Sequence, residues 1–183
     1  MPGAGVVPFE LAPHNCFACG ALNVSGIRLL LHVERGHAWT DGTLDARFQG
    51  WNGMAHGGII CAILDEVMAW ALVGQDNWGV TARMSVDFKR PVAIGQPVRA
   101  FGDVTRSRRR LVDTSGRIVD ADGVVLATSV GLYVAADEAR KRELREQYGF
   151  RFVDRGREAR AEGVDVPGRV DGRTLAAAAG SRR

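Results

Sequence analysis

Hydrophobic and polar positions divide the chain into segments of different period. In IRLLLHVERGHAWTDGTLDARF, residues 27–48, short apolar–polar alternations on either side of Arg35-Gly36 predict two strands joined by a turn. The glycine-rich QGWNGMAHGG follows as a loop. From Gly57 to Val73, GGIICAILDEVMAWALV has no proline and no interior glycine and reads as a helix apolar on nearly every face. After GQDNWG come four strand-like runs: VTARMSVDFKRPV, PVRAFGDVTRSRR, LVDTSGRIVDA and GVVLATSVGLYV. The Asp122-Gly123 pair between the last two marks a hairpin.

The flanks differ from this body. Residues 1–26 form an irregular, proline-bearing lead that contains CFACG. Residues 136–149, ADEARKRELREQYG, predict a charged helix, and residues 150–183 have too few apolar anchors to pack, so a disordered tail is expected there. A helix apolar all round must be buried over most of its surface. One helix achieves that when a curved antiparallel sheet wraps it. Residues 27–135 are therefore expected to form an α+β hot-dog fold, whose exposed sheet back and open edge favour pairing with a second copy.

At 183 residues the chain is long enough for one domain with a real core. Three scattered cysteines do not make a disulfide framework, and the N-terminus lacks the basic start and apolar run of a signal peptide, so the expected location is the cytoplasm. No apolar run reaches the length of a membrane span. The net charge of +3 comes from the tail: residues 1–135 hold 12 basic and 12 acidic side chains, residues 136–183 hold 12 and 9. A neutral body argues against a nucleic-acid surface. The sequence contains neither the nucleophile elbow of serine hydrolases nor a P-loop or dinucleotide glycine motif.

The chemistry turns on an acid in the apolar helix. Asp65 sits among Ile63, Leu64, Val67 and Met68, where an unpaired carboxylate is costly, so it must be wet, paired with a buried arginine, or functional. Gly57 and Gly58 open the same helix, where backbone N–H groups lack intrahelical partners and no side chain blocks a ligand oxygen. Such a start can hold an oxyanion, or simply permit a tight turn. Eight residues of helix separate Gly57 from Asp65 by about 12 Å. If amide and acid serve one reaction, they come from different chains, as a two-fold dimer with antiparallel central helices allows. Glu66 points about 100° further round the helix, where bracing a neighbouring chain is its expected role.

The stretches HGGIICAILDE, TARMSVDFKRPVAIGQPVRAFGDV and DGVVLATSVGLYV resemble the hot-dog acyl-CoA thioesterases, in particular the PaaI-like branch, over roughly residues 47–134. The lead CFACGALNVSGIRL resembles an N-terminal segment found in some of these proteins. The resemblance implies hydrolysis of an acyl-CoA to free acid and coenzyme A in acyl-lipid metabolism, by a homodimer or a dimer of dimers. It also implies roles for single residues. Gly57, with Gly58 beside it, would polarise the thioester carbonyl through its N–H. Asp65 would be the acid that attacks directly or activates water. Thr81 would position the water or the acid, and His56 would shape the loop or touch the carbonyl. Gly50 stands near the place where some relatives carry asparagine or glutamine, with Gln49 and Asn52 beside it, and Ala69 offers no hydroxyl one turn after Asp65. A buried aspartate with a raised pKa suits a general base, and a mixed anhydride is the nucleophilic alternative.

Coenzyme A enters only as part of the substrate. Its phosphates call for cations, which Lys89 and Arg90 after one strand, and Arg106, Arg108 and Arg109 at a strand end, would supply. Trp51, Trp70 and Trp78 are candidates for lining an acyl pocket or for filling core. Cys16 and Cys19 have the spacing of a zinc half-site, but no second Cys/His pair accompanies them although His14 and His32 exist, so the expectation is a small packed turn and no metal. Cys61 reads as core. The alternative to an enzyme is a non-catalytic acyl-CoA-binding module; a zinc-dependent interaction protein built on CFACG is a third reading.

Overall fold

The computed structural model describes residues 9–152. Its elements run β1 (Phe9–Glu10), β2 (Leu31–Glu34), β3 (His37–Thr43), a short 3-10 turn (Ala46–Phe48), α1 (Gly57–Val73), β4 (Gly79–Phe88), β5 (Pro97–Arg108), β6 (Leu111–Asp120), β7 (Val125–Ala135), α2 (Glu138–Tyr148) and β8 (Arg151–Phe152). Strands β2 to β7 form one antiparallel sheet in the order β2-β3-β5-β6-β7-β4. The helix crosses its concave face, which is the hot-dog arrangement expected from the pattern. No helix among the described residues is long and apolar enough to cross a membrane.

The helix is buried because its side chains meet sheet residues on several sides. Ile60, Ile63, Leu64 and Val67 pack with Ala100, Ile118 and Ala127, while Met68 and Leu72 pack with Val112 and Tyr133. Each fully buried side chain of this size contributes about 1.5–3 kcal/mol. Helix and sheet approach most closely at Gly102 of β5, where an added Cβ would overlap the Val67 carbonyl and lie 2.6 Å from Met68 N. Only glycine fits there.

The lead and the end of the described chain are more ordered than their composition suggested. β1 pairs with β8, and Phe9 stacks on Trp70 at 4.8 Å while Phe150 is buried beside Trp78. Residues 150–152, expected in the tail, are thus packed or paired; residues 153–183, the rest of the expected tail, lie outside the described residues. Trp70 and Trp78 are core, whereas Trp51 is 81% exposed.

Candidate active site

Asp65 leaves the middle of α1 beside the β4–β7 pair. Thr81 Oγ1 donates to its Oδ1 at 2.7 Å, and Tyr133 OH lies 2.7 Å from the same oxygen and 3.0 Å from the Asp65 carbonyl. Thr81 and Tyr133 face each other across the β4–β7 ladder, next to a bulge between Thr81 and Arg83, so sheet register brings both hydroxyls to one carboxylate. Oδ2 has no donor among the described residues. No arginine among the described residues pairs with Asp65, and the residue is half-buried rather than buried, which speaks against the reading in which it only neutralises a core guanidinium. Tyr133 is the residue that sequence reasoning missed. Burial, then the neighbouring Asp65 charge, raises its phenol pKa, so it stays a donor.

The helix start divides the roles expected of its residues. His56 caps α1: its Nδ1 accepts the Gly58 N–H at 2.9 Å, and the ring is exposed. That bond occupies Gly58, which removes it from the free donors. Gly57 N–H keeps no acceptor among the described residues. A Cβ at Gly57 would touch only the Phe88 ring, at 3.5 Å. Gly50 is packed on His56, with a Cβ placed there 3.1 Å from His56 Cα, so a side chain at that place requires His56 to shift by a few tenths of an ångström. Gln49 is tied to Gly53 N at 2.7 Å, and Asn52 is exposed.

The basic candidates fall into two groups. Lys89 and Arg90 follow β4, where both backbone N–H groups donate to Leu126 O at the start of β7. Arg106, Arg108 and Arg109 sit where β5 turns into β6, level with Val134 at the far end of β7. Eight strand residues, about 26 Å, separate the groups in one chain, so together they do not grip one nucleotide. Lys89 lies 3.5 Å from Asp87, and Arg108 2.9 Å from Asp113, both pairs largely exposed.

A cavity of ≈ 410 Å³ opens beside α1 at the Gly79–Val80 start of β4, walled by Trp70, Val73, Trp78, Leu144 and Tyr148 with Arg110 among its polar lining. The Trp78 indole N–H has no partner among the described residues. Glu66 turns to this side: its Oε1 accepts Trp70 Nε1–H at 2.8 Å and its Oε2 lies 3.9 Å from Cys16 Sγ. It is engaged within its own chain. Burial raises its pKa to about 7. Cys16 is lowered to about 5 chiefly by a hydrogen bond from Cys19, whose own thiol is raised by the same bond and by burial. Cys61 is free, and burial raises its thiol pKa.

Known proteins resemble parts of this chain. Residues 52–127 match the thioesterase superfamily. A crystal structure described as a thioesterase superfamily protein is 28% identical at a TM-score of 0.62; the match covers 66% of this chain and 60% of that one, less than two thirds of its length. The matched stretch lies within the hot-dog body and covers 76 of the chain's 183 residues. The chain's neighbours in fold include the E. coli PaaI protein from the phenylacetic acid degradation operon, 23% identical at a TM-score of 0.54 over 55% of this chain and 77% of that one. They also include a Streptococcus mutans UA159 protein bound to acetyl CoA, 16% identical at a TM-score of 0.55 over 57% and 84%. No curated protein matches the sequence.

Proposed function

We propose that the protein is an acyl-CoA thioesterase whose site forms between two copies of the chain. The observation that carries this reading is the Asp65 carboxylate, held at one oxygen by Thr81 and Tyr133 and open at the other, beside an unpaired strand edge. β4 ends the sheet, and its residues are mostly exposed, with Val80 at 70% and Phe88 at 56%. Such an edge favours strand addition. Within one chain Gly57 neighbours Phe88 and Asp65 neighbours Thr81. A two-fold axis at Ser85, with the bulge between Thr81 and Arg83 taking up one residue, sets Thr81 opposite the partner's Phe88, and so sets Asp65 near the partner's Gly57 amide. The same axis brings Lys89 and Arg90 of the partner subunit to the sheet end that carries Arg106, Arg108 and Arg109. The five cations then share one end of the joined sheet, where they face the phosphates of coenzyme A.

In that arrangement the thioester carbonyl oxygen accepts from the Gly57 N–H, where the negative charge of the tetrahedral intermediate develops. Asp65 Oδ2 takes a proton from the attacking water and returns it to the leaving sulfur, so that coenzyme A departs as the thiol; alternatively it attacks the carbonyl, coenzyme A leaves as a thiolate that solvent protonates, and water hydrolyses the mixed anhydride. Binding of acetyl CoA by the Streptococcus mutans neighbour supports the choice of thioester. The test is thiol release from a panel of acyl-CoA chain lengths. Turnover on at least one, reduced about a hundredfold or more in Asp65→Asn with the fold retained, is the expected result. Saturable binding with no thiol release from any acyl-CoA would instead establish a binding module.

A further inference from the structure

The lead before β2 takes no part in this chemistry, yet it brings two cysteines against the central helix. Cys16 and Cys19 flank a tight turn in which Gly20 N–H donates to Cys16 O at 2.9 Å and Leu22 N–H to His14 O at 3.0 Å. A Cβ at Gly20 would lie 2.5 Å from both of those carbonyl oxygens, so no larger residue closes the turn. The two sulfurs and a Glu66 carboxylate oxygen lie within 4.8 Å of one another. Cys16 Sγ is 3.9 Å from Glu66 Oε2, and His14 Nε2 is 3.9 Å from Cys19 Sγ. Ligand atoms around a tetrahedral zinc with bonds of about 2.0–2.3 Å are about 3.3–3.8 Å apart, so the two 3.9 Å separations need to close by a few tenths of an ångström and the widest of the group by about 1 Å. The Trp70 indole holds the other Glu66 oxygen at 2.8 Å, the kind of outer-shell bond that orients a ligating carboxylate.

We propose that Cys16, Cys19 and Glu66 bind a zinc ion, with His14 beside the fourth coordination position. Two thiolates select zinc over magnesium or calcium. Both sulfurs bind as thiolates, any proton they carry passes to solvent, and no oxidant is needed. For His14 to ligate through Nε2, its ring proton must sit on Nδ1, and the 3.2 Å bond that Nδ1 accepts from Cys16 N–H is given up. The ion ties the lead to α1 at the residue after Asp65, and it forms part of the wall of the ≈ 410 Å³ cavity.

The full chain, chelator-stripped and kept reduced, is titrated with Co²⁺ and read by its visible d–d bands and near-ultraviolet thiolate charge transfer. The expected result is one cobalt per chain, displaced by zinc. Cys16→Ser and Cys19→Ser should weaken the thiolate bands, and Glu66→Gln should lower affinity about tenfold or more, each with a native circular dichroism spectrum. Absence of cobalt–thiolate absorption while both thiols titrate as free would overturn the proposal. So would a Glu66→Gln variant with unchanged spectrum and affinity. Should Glu66→Gln not fold, X-ray absorption at the zinc edge of the loaded wild type decides: two sulfurs with lighter atoms support the site, and four sulfurs, which need two chains, overturn it.

Discussion

Asp65 shows how a single side chain acquires its surroundings from groups far away in sequence. In an apolar helix it would cost several kcal/mol if left dry and unpaired. Two hydroxyl donors and a half-buried position relieve that cost without neutralising the charge, and they leave one oxygen for chemistry. Tyr133→Phe keeps the buried ring and removes one donor. A stability loss of about 1 kcal/mol is expected in thermal or denaturant unfolding. Steady-state kinetics should show kcat falling about tenfold with KM little changed, because the hydroxyl orients the acid rather than binding substrate. A loss confined to KM would assign the hydroxyl to substrate binding instead.

The energetics of the elements centre on α1 and the strands it crosses. At Gly102 the helix backbone rests on the sheet with no space for a methyl group. Gly102→Ala must push α1 away from β5 and loosen the Leu64–Met68 layer, at a cost of about 3 kcal/mol in unfolding free energy. The same substitution at Gly42 of β3, where a new Cβ meets nothing within 4 Å, should cost far less, and the pair of melting curves tests whether close approach is the cause. At its N-terminal end α1 offers a second separation of effects. Gly57 is the first helical residue after the His56 cap, a position that suits proline, and His56 already has the extended backbone a following proline demands. Gly57→Pro therefore deletes one N–H while keeping the helix.

For the whole molecule, the open β4 edge makes assembly part of the proposed chemistry. An equimolar, co-refolded mixture of Asp65→Asn and Gly57→Pro chains tests this directly. Heterodimers carry one intact site, with Asp65 from one chain and Gly57 from the other, if the site spans the interface. Random pairing then restores about a quarter of wild-type hydrolysis from two nearly inactive parents. Activity no higher than that of the parents would place acid and amide in the same chain.

Sequence alone determined the parts whose signal is local. The apolar run from Gly57 to Val73 became α1 with those ends, and the turn at Arg35-Gly36 joined two strands. The link from Asp65 to Thr81 came from family resemblance, and the hydrogen bond between them agrees with it. Tertiary structure decided what depends on register and on which faces meet. Tyr133 reaches Asp65 only because β7 pairs with β4 in one alignment. The two groups of basic residues part because they lie at opposite ends of β7. Glu66 meets Cys16 because the lead folds back over α1. Spacing along a chain reports period and turn chemistry; it does not report contacts between residues fifty positions apart, which exist only once sheet, helix and lead have closed on one another.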